Sequence, residues 1–138
     1  MKKYIVIIPL FMLLISAWGQ THPVRVVFDV TSGDESTHQT VMRHVKLMAE
    51  AYKDSEFEVV IYGGALPMAL REQSSVSADI AAFQDSDRVS ILVCEETMRR
   101  YHAEPSQLLT GIRTVPDGLL EIVLRQGEGW GYIKESHK

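Results

Sequence analysis

From Val24 to Lys134 the chain alternates short β-branched runs with stretches of helical periodicity. Val24-Arg25-Val26-Val27-Phe28-Asp29-Val30 lies between Pro23 and the turn Thr31-Ser32-Gly33-Asp34, and its content predicts a buried strand. Apolar residues then recur at helical spacing. Val41, Val45, Met48 and Tyr52 form a stripe widened by Met42 and Ala49, while Arg43, His44, Lys46, Glu50 and Lys53 fall mostly opposite. Ser36 with Gln39 three residues on predicts a capping box at the start of that helix. A second strand is expected over 57–62, stopped by Gly63-Gly64, followed by short helices over 65–71 and 76–83. Residues 88–94 predict a third strand that runs straight into helix-forming residues 95–101, and Pro105 suits the first position of another short helix. A fourth strand follows at 111–115. Pro116-Asp117-Gly118 then turns into a helix over 119–126, with Leu119, Leu120, Val123 and Leu124 as its expected inner face. Residues 130–134 predict a last edge strand.

Strand and helix alternate throughout, which implies right-handed crossovers and an α/β fold: a mostly parallel sheet of about five strands with helices on both faces. The 138 residues, 46% hydrophobic and 23% charged, suit one domain with one core.

The N-terminus adds an address. Lys2-Lys3, an apolar run over 4–15 that holds Pro9, and the small residues of Ala17-Trp18-Gly19 fit a signal peptide over 1–19, cleaved after Gly19. The run is shorter than the roughly 20 apolar residues of a membrane span, so a domain over 20–138 is expected in the periplasm or outside the cell, free of the membrane. Loss of the leader leaves 12 Lys and Arg against 18 Asp and Glu, a formal charge of −6. That balance excludes a nucleic-acid partner, whose phosphates call for clustered cations. A single Cys excludes an intrachain disulfide, a CxxC pair and a Cys-rich zinc site.

In an open α/β sheet, ligands bind beyond the carboxyl ends of the strands. Those ends bring together Thr31, Ser32 and Gly33, then Gly63 and Gly64, then Cys94 and Glu95, then Pro116-Asp117-Gly118. Cys94 is the one strong nucleophile in the set. A thiol that also opens a helix feels the positive end of the helix dipole, which favours thiolate. Glu95 and Glu96 oppose that effect, and Arg99 and Arg100 offset them. Against a functional thiol stands the common use of free Cys as core packing.

With those residues located, the chain resembles the DsrE/DsrF-like family of small α/β sulfur-relay proteins. The resemblance is carried by 26–34, by Gly63-Gly64, by Val93-Cys94-Glu95-Glu96-Thr97-Met98-Arg99, by 115–123 and by Gly129-Trp130-Gly131-Tyr132-Ile133. It implies a compact sheet of flavodoxin-like layering and homo-oligomers, often trimers or assemblies of trimers. It also implies a cysteine at the place of Cys94 that takes a sulfane sulfur as a persulfide from a donor and passes it to an acceptor protein. Many relatives carry small or amide side chains where Glu95 and Glu96 stand, and the relay members work in the cytoplasm.

Other constellations carry less. The turn 31–37 is rich in hydroxyls, as a flavin phosphate loop would be, but Asp34 and Glu35 repel phosphate and no cofactor is expected. His22, His38, His44, His102 and His137 lack metal-type spacing and are expected at the surface, with no metal site. No GxSxG elbow supports a serine triad. Trp130 and Tyr132 suit either edge packing or a subunit interface. Two functions follow. One is a periplasmic persulfide carrier acting through Cys94, with Thr31, Ser32, Gly33, Gly63, Gly64, Glu95 and Arg99 around it. The other is a non-catalytic oligomeric binding module in which Cys94 only packs.

Overall fold

The structure, a computed structural model, describes residues 22–136. The expected leader over 1–19 lies outside the described residues. Five strands form a single parallel sheet: β1 (Arg25–Val30), β2 (Glu56–Ile61), β3 (Val89–Cys94), β4 (Ile112–Val115) and β5 (Gly131–Glu135). Their spatial order is β4-β3-β2-β1-β5. The helices are α1 (Glu35–Ala51), α2 (Ser77–Ala81), α3 (Glu95–Arg100) and α4 (Gly118–Gly127), and 3-10 segments occupy Gly63–Ala69 and Pro105–Gln107.

The strand order explains the layers. From β1 to β4 the chain steps in one direction across the sheet, so crossovers of one hand place their helices on one face. The return from β4 to β5 spans the whole sheet, and its helix α4 lies on the other face. Side-chain alternation separates two cores accordingly. Val26, Phe28 and Val30 of β1, with Phe57, Val59 and Ile61 of β2 and Val89, Ile91 and Val93 of β3, pack under α1, α2 and α3. Beneath α4 the apolar cluster is small: Val27, Val60 and Ile122, flanked by Tyr62 and Trp130.

Three local expectations need correction. Leu119, Leu120, Val123 and Leu124 do not form the inner face of α4; each is more than half exposed. The helix turns Gly118, Ile122 and Arg125 to the sheet instead, because the strands there present Glu58 as well as Val27 and Val60. Arg125 reaches the buried Glu58 carboxylate with Nε 3.1 Å from both oxygens. The start of α1 lies one residue before Ser36, with Asp34 at the N-cap and no side-chain cap bond, so the Ser36–Gln39 box does not form. Finally, His38 is buried, not a surface residue. Its Nε2 donates to the Ser32 carbonyl at 2.7 Å and ties α1 to the turn after β1.

Candidate functional site

Cys94 ends β3, the strand between β2 and β4, and alternation puts its side chain on the α4 face with Ser90 and Leu92. It is 5% exposed. One residue past the Ile61–Val93 pair, Tyr62 directly follows the neighbouring strand β2, and Cys94 itself pairs with Val115 of β4. The first residue of α4 lies over both side chains. A Cβ on Gly118 would sit 3.1 Å from Cβ of Cys94, 3.2 Å from Val60 and 3.6 Å from Cβ of Tyr62, so glycine permits this close seat. Asp117 caps α4, its Oδ1 accepting from the amides of Leu119 at 2.9 Å and Leu120 at 3.2 Å. The thiol therefore lies beneath the amino end of α4 as well as opening α3.

On the same face of the sheet, two strands from this thiol, lies a polar group that no sequence motif marks. Asp29, buried in β1, accepts from Tyr132 Oη at 2.5 Å and from Lys134 Nζ at 2.9 Å. Lys134 Nζ also donates to Thr31 Oγ1 at 2.7 Å and lies 5.6 Å from the centre of the Tyr62 ring. Burial, and then the Asp29 carboxylate, hold the Tyr62 phenol far above its ordinary range. The hydrogen bond to Asp29 is the main reason that the Tyr132 phenol is pushed up to about 12. Both phenols thus stay protonated at neutral pH.

The residues expected around Cys94 divide between two sides of the sheet. Thr31 shares its face. Gly33 and Gly64 meet backbone to backbone at the carboxyl rim, where a Cβ on Gly33 would stand 3.1 Å from the Gly64 carbonyl oxygen. Ser32 spends its carbonyl on His38 and its Oγ on the Asp34 amide at 3.1 Å. Gly63 donates its amide to Thr97 at 2.9 Å. Glu95 turns toward the opposite face, accepting from Thr114 at 2.7 Å, and Arg99 pairs with Glu96 and approaches Glu95. Arg99 is still near enough to Cys94 for their charges to interact.

Two cavities open at this rim. One of about 260 Å³ is lined by Gly63, Gly64, Leu66, Tyr101 and His102, among others. The second, of about 440 Å³, is lined by Glu95, Met98, Arg99, His102 and Thr114, among others. Cys94 lines neither. Among the described residues there is no group of three or more His, Cys, Asp or Glu placed to hold a metal, and no helix long and apolar enough to cross a membrane.

Solved structures share this architecture. MTH1491, a protein of unknown function from Methanobacterium thermoautotrophicum, is 31% identical with a TM-score of 0.74, over 80% of this chain and 98% of that one. The ychN protein of E. coli matches at 13% identity and a TM-score of 0.66, covering 82% and 99% of the two chains. BT1422 of Bacteroides thetaiotaomicron, a conserved protein of unknown function, matches at 13% and 0.63, covering 80% and 93%. No curated protein matches the chain. The sequence pattern of the DsrE/DsrF-like family matches residues 25–134, the whole span from the start of β1 into β5. With that match and the parallel five-stranded sheet, the chain belongs to the DsrE/DsrF-like family.

Proposed function

We propose that this protein is a periplasmic sulfur carrier in which Cys94 accepts a sulfane sulfur as a persulfide and passes it to an acceptor. The observation that carries the reading is the position of the only thiol. It stands at the carboxyl end of a central strand, level with Tyr62 and beneath the amino end of α4. In the transfer, the Cys94 thiolate attacks the terminal sulfur of a donor persulfide or hydropolysulfide. A new S–S bond forms at Cys94, the donor's S–S bond breaks, and its electron pair leaves on the donor sulfur. No outside oxidant is needed, and attack by an acceptor thiolate on the outer sulfur reverses the sequence. The turn at Asp117-Gly118 covers the thiol, so the proposed transfer requires it to move aside for a donor. The residues over 1–19 support export, by their Lys-Lys start and short apolar run. The apolar outer face of α4 supports self-association.

A second reading has its own support. Cys94 is 5% exposed and lines neither rim cavity, which suits a binding module in which the cysteine is packing. Purified protein is incubated with polysulfide and weighed intact, beside Cys94→Ser and beside protein treated first with iodoacetamide. A sulfur carrier gains sulfur mass only when the thiol is present and free. A thiol that resists alkylation until the protein unfolds, with no gain of sulfur, establishes the packing role instead.

A further inference from the structure

We infer that the two rim cavities form one cleft for a small arylalkyl amine, with the ring held beside Leu66 and Tyr101, the protonated nitrogen beside Glu95, and His102 between them. This goes beyond the sulfur-carrier reading and does not rest on it, because Cys94 lines neither cavity.

His102 holds a backbone conformation that an L side chain rarely takes. Its φ is 55°, and the other left-handed positions among the described residues, Gly63, Gly111 and Gly129, are all glycine. The turn that closes α3 accounts for the geometry. The His102 amide donates to the Arg99 carbonyl at 3.3 Å and the Ala103 amide to the Met98 carbonyl at 2.9 Å, an arrangement in which glycine is the usual residue. Closing the helix thus calls for a left-handed backbone but not for an imidazole. Strain of this kind gathers where a side chain serves a ligand, and the His102 side chain stands where both cavities are lined by it.

The two linings differ in kind. Around the cavity of about 260 Å³, Leu66, Pro67, Leu70 and Tyr101 supply apolar and aromatic surface. At roughly 30 Å³ per water that space equals about nine waters, room for a single ring with a short chain. The cavity of about 440 Å³ carries Glu95, Glu104 and Arg99 beside its apolar lining. Arg99 is paired with Glu96 and lies 3.9 Å from Glu95, so the carboxylates outweigh it and a cation is favoured there. The formal charge of the chain, −4, has the same sign. Because His102 and Ala103 line both cavities, one molecule can span them past the imidazole.

The test titrates phenethylamine into the protein at near-neutral pH and follows amide NMR shifts, beside the neutral phenethyl alcohol and the anionic hydrocinnamate. Shifts are expected at Leu66, Met98, Tyr101 and His102. An exposed charge pair is worth about a two- to fivefold change in Kd, so the amine binds tighter than the alcohol by that factor and the acid binds weakest. Glu95→Gln shrinks the factor. His102→Gly keeps the left-handed backbone and removes the ring, so it weakens amine and alcohol alike by about two- to tenfold while melting no lower than the native protein. His102→Asn, which also tolerates that backbone, repeats the loss should glycine loosen the turn. Glu50→Gln, on the exposed side of α1, binds as the native protein does. Shifts confined to other residues, or none with any probe, overturn the inference. So do an acid that binds as well as the amine, a factor unchanged by Glu95→Gln, and a native Kd in the folded His102 variants. A His102→Gly protein that melts lower overturns it too, since the imidazole then serves the fold. Cys94 enters none of these readouts, so the failure of this inference and that of the sulfur-carrier reading are told apart.

Discussion

Asp29 is a carboxylate inside a strand whose other inner residues are Val26, Val27, Phe28 and Val30, and burying it requires partners. Tyr132 and Lys134 supply them from the adjacent strand, two register positions apart and so on the same face. The consequence is measurable in alkali. The Tyr132 phenol, ordinarily near 10.0, is pushed up to about 12 in the folded protein. A group raised in this way stabilises the fold fully below the unfolded value and ceases to do so as pH rises through the folded one. Urea unfolding should therefore lose stability between about pH 10 and 12, and Tyr132→Phe should flatten that loss. An equally steep loss in the variant would show that the Asp29 bond is not its source. Asp29 was also the signal in the sequence that could have led to this cluster. No motif marks it, because Asp29 lies some 100 residues from Tyr132 and Lys134 and only the parallel pairing of β1 with β5 joins them. Cys94 itself was legible, since a nucleophile at the end of a β-branched run needs no tertiary information to be noticed. Its depth was not, because Gly118 and Tyr62 close over it from other parts of the chain.

At the scale of elements, all five strands are where their β-branched runs place them, and the two cores follow from alternation along those runs. The helix α4 resisted the same treatment. Leu119, Leu120, Ile122, Val123 and Leu124 make it apolar nearly all round, and a pattern apolar on every side does not say which side faces in. The polar residues decide. Arg125 must meet Glu58, whose carboxyl is raised above its ordinary range because burial outweighs the ion pair, and this fixes the rotation of the helix. Ile122, one turn before Arg125, then drops onto Val27 and Val60. Truncating the inward residue removes packed core, whereas truncating an outward one removes little. Ile122→Ala should cost about 2–4 kcal/mol of unfolding free energy and Val123→Ala less than about 1 kcal/mol in the dissociated protein. Chemical denaturation of both variants at low protein concentration checks the contrast, and equal losses would place α4 in a different rotation.

The whole molecule carries a formal charge of −4, so copies repel one another over most of their surface at neutral pH. The outer face of α4 is the exception. Leu119, Leu120, Val123 and Leu124 lie together there, each more than half exposed. The charged side chains of the helix, Glu121 and Arg125, are turned aside to bond one another at 3.0 Å. An uncharged apolar patch on an acidic protein is best matched by the same patch on a second copy, since two such faces lose water together without bringing like charges into contact. The prediction is that a homo-oligomer, if formed, uses α4, and this bears on the thiol: α4 begins at Gly118, directly over Cys94, so an interface that fixes the helix would also fix the cover of the sulfur. Leu120→Glu puts one charge into each copy of the patch without touching Ile122 or the sheet. Light scattering after gel filtration should show the native protein as an oligomer and Leu120→Glu as a folded monomer, with Cys94 alkylated faster in the monomer because α4 is no longer held from outside. A native protein that is already monomeric at micromolar concentration, or a Leu120→Glu oligomer of unchanged mass, would remove α4 as the contact.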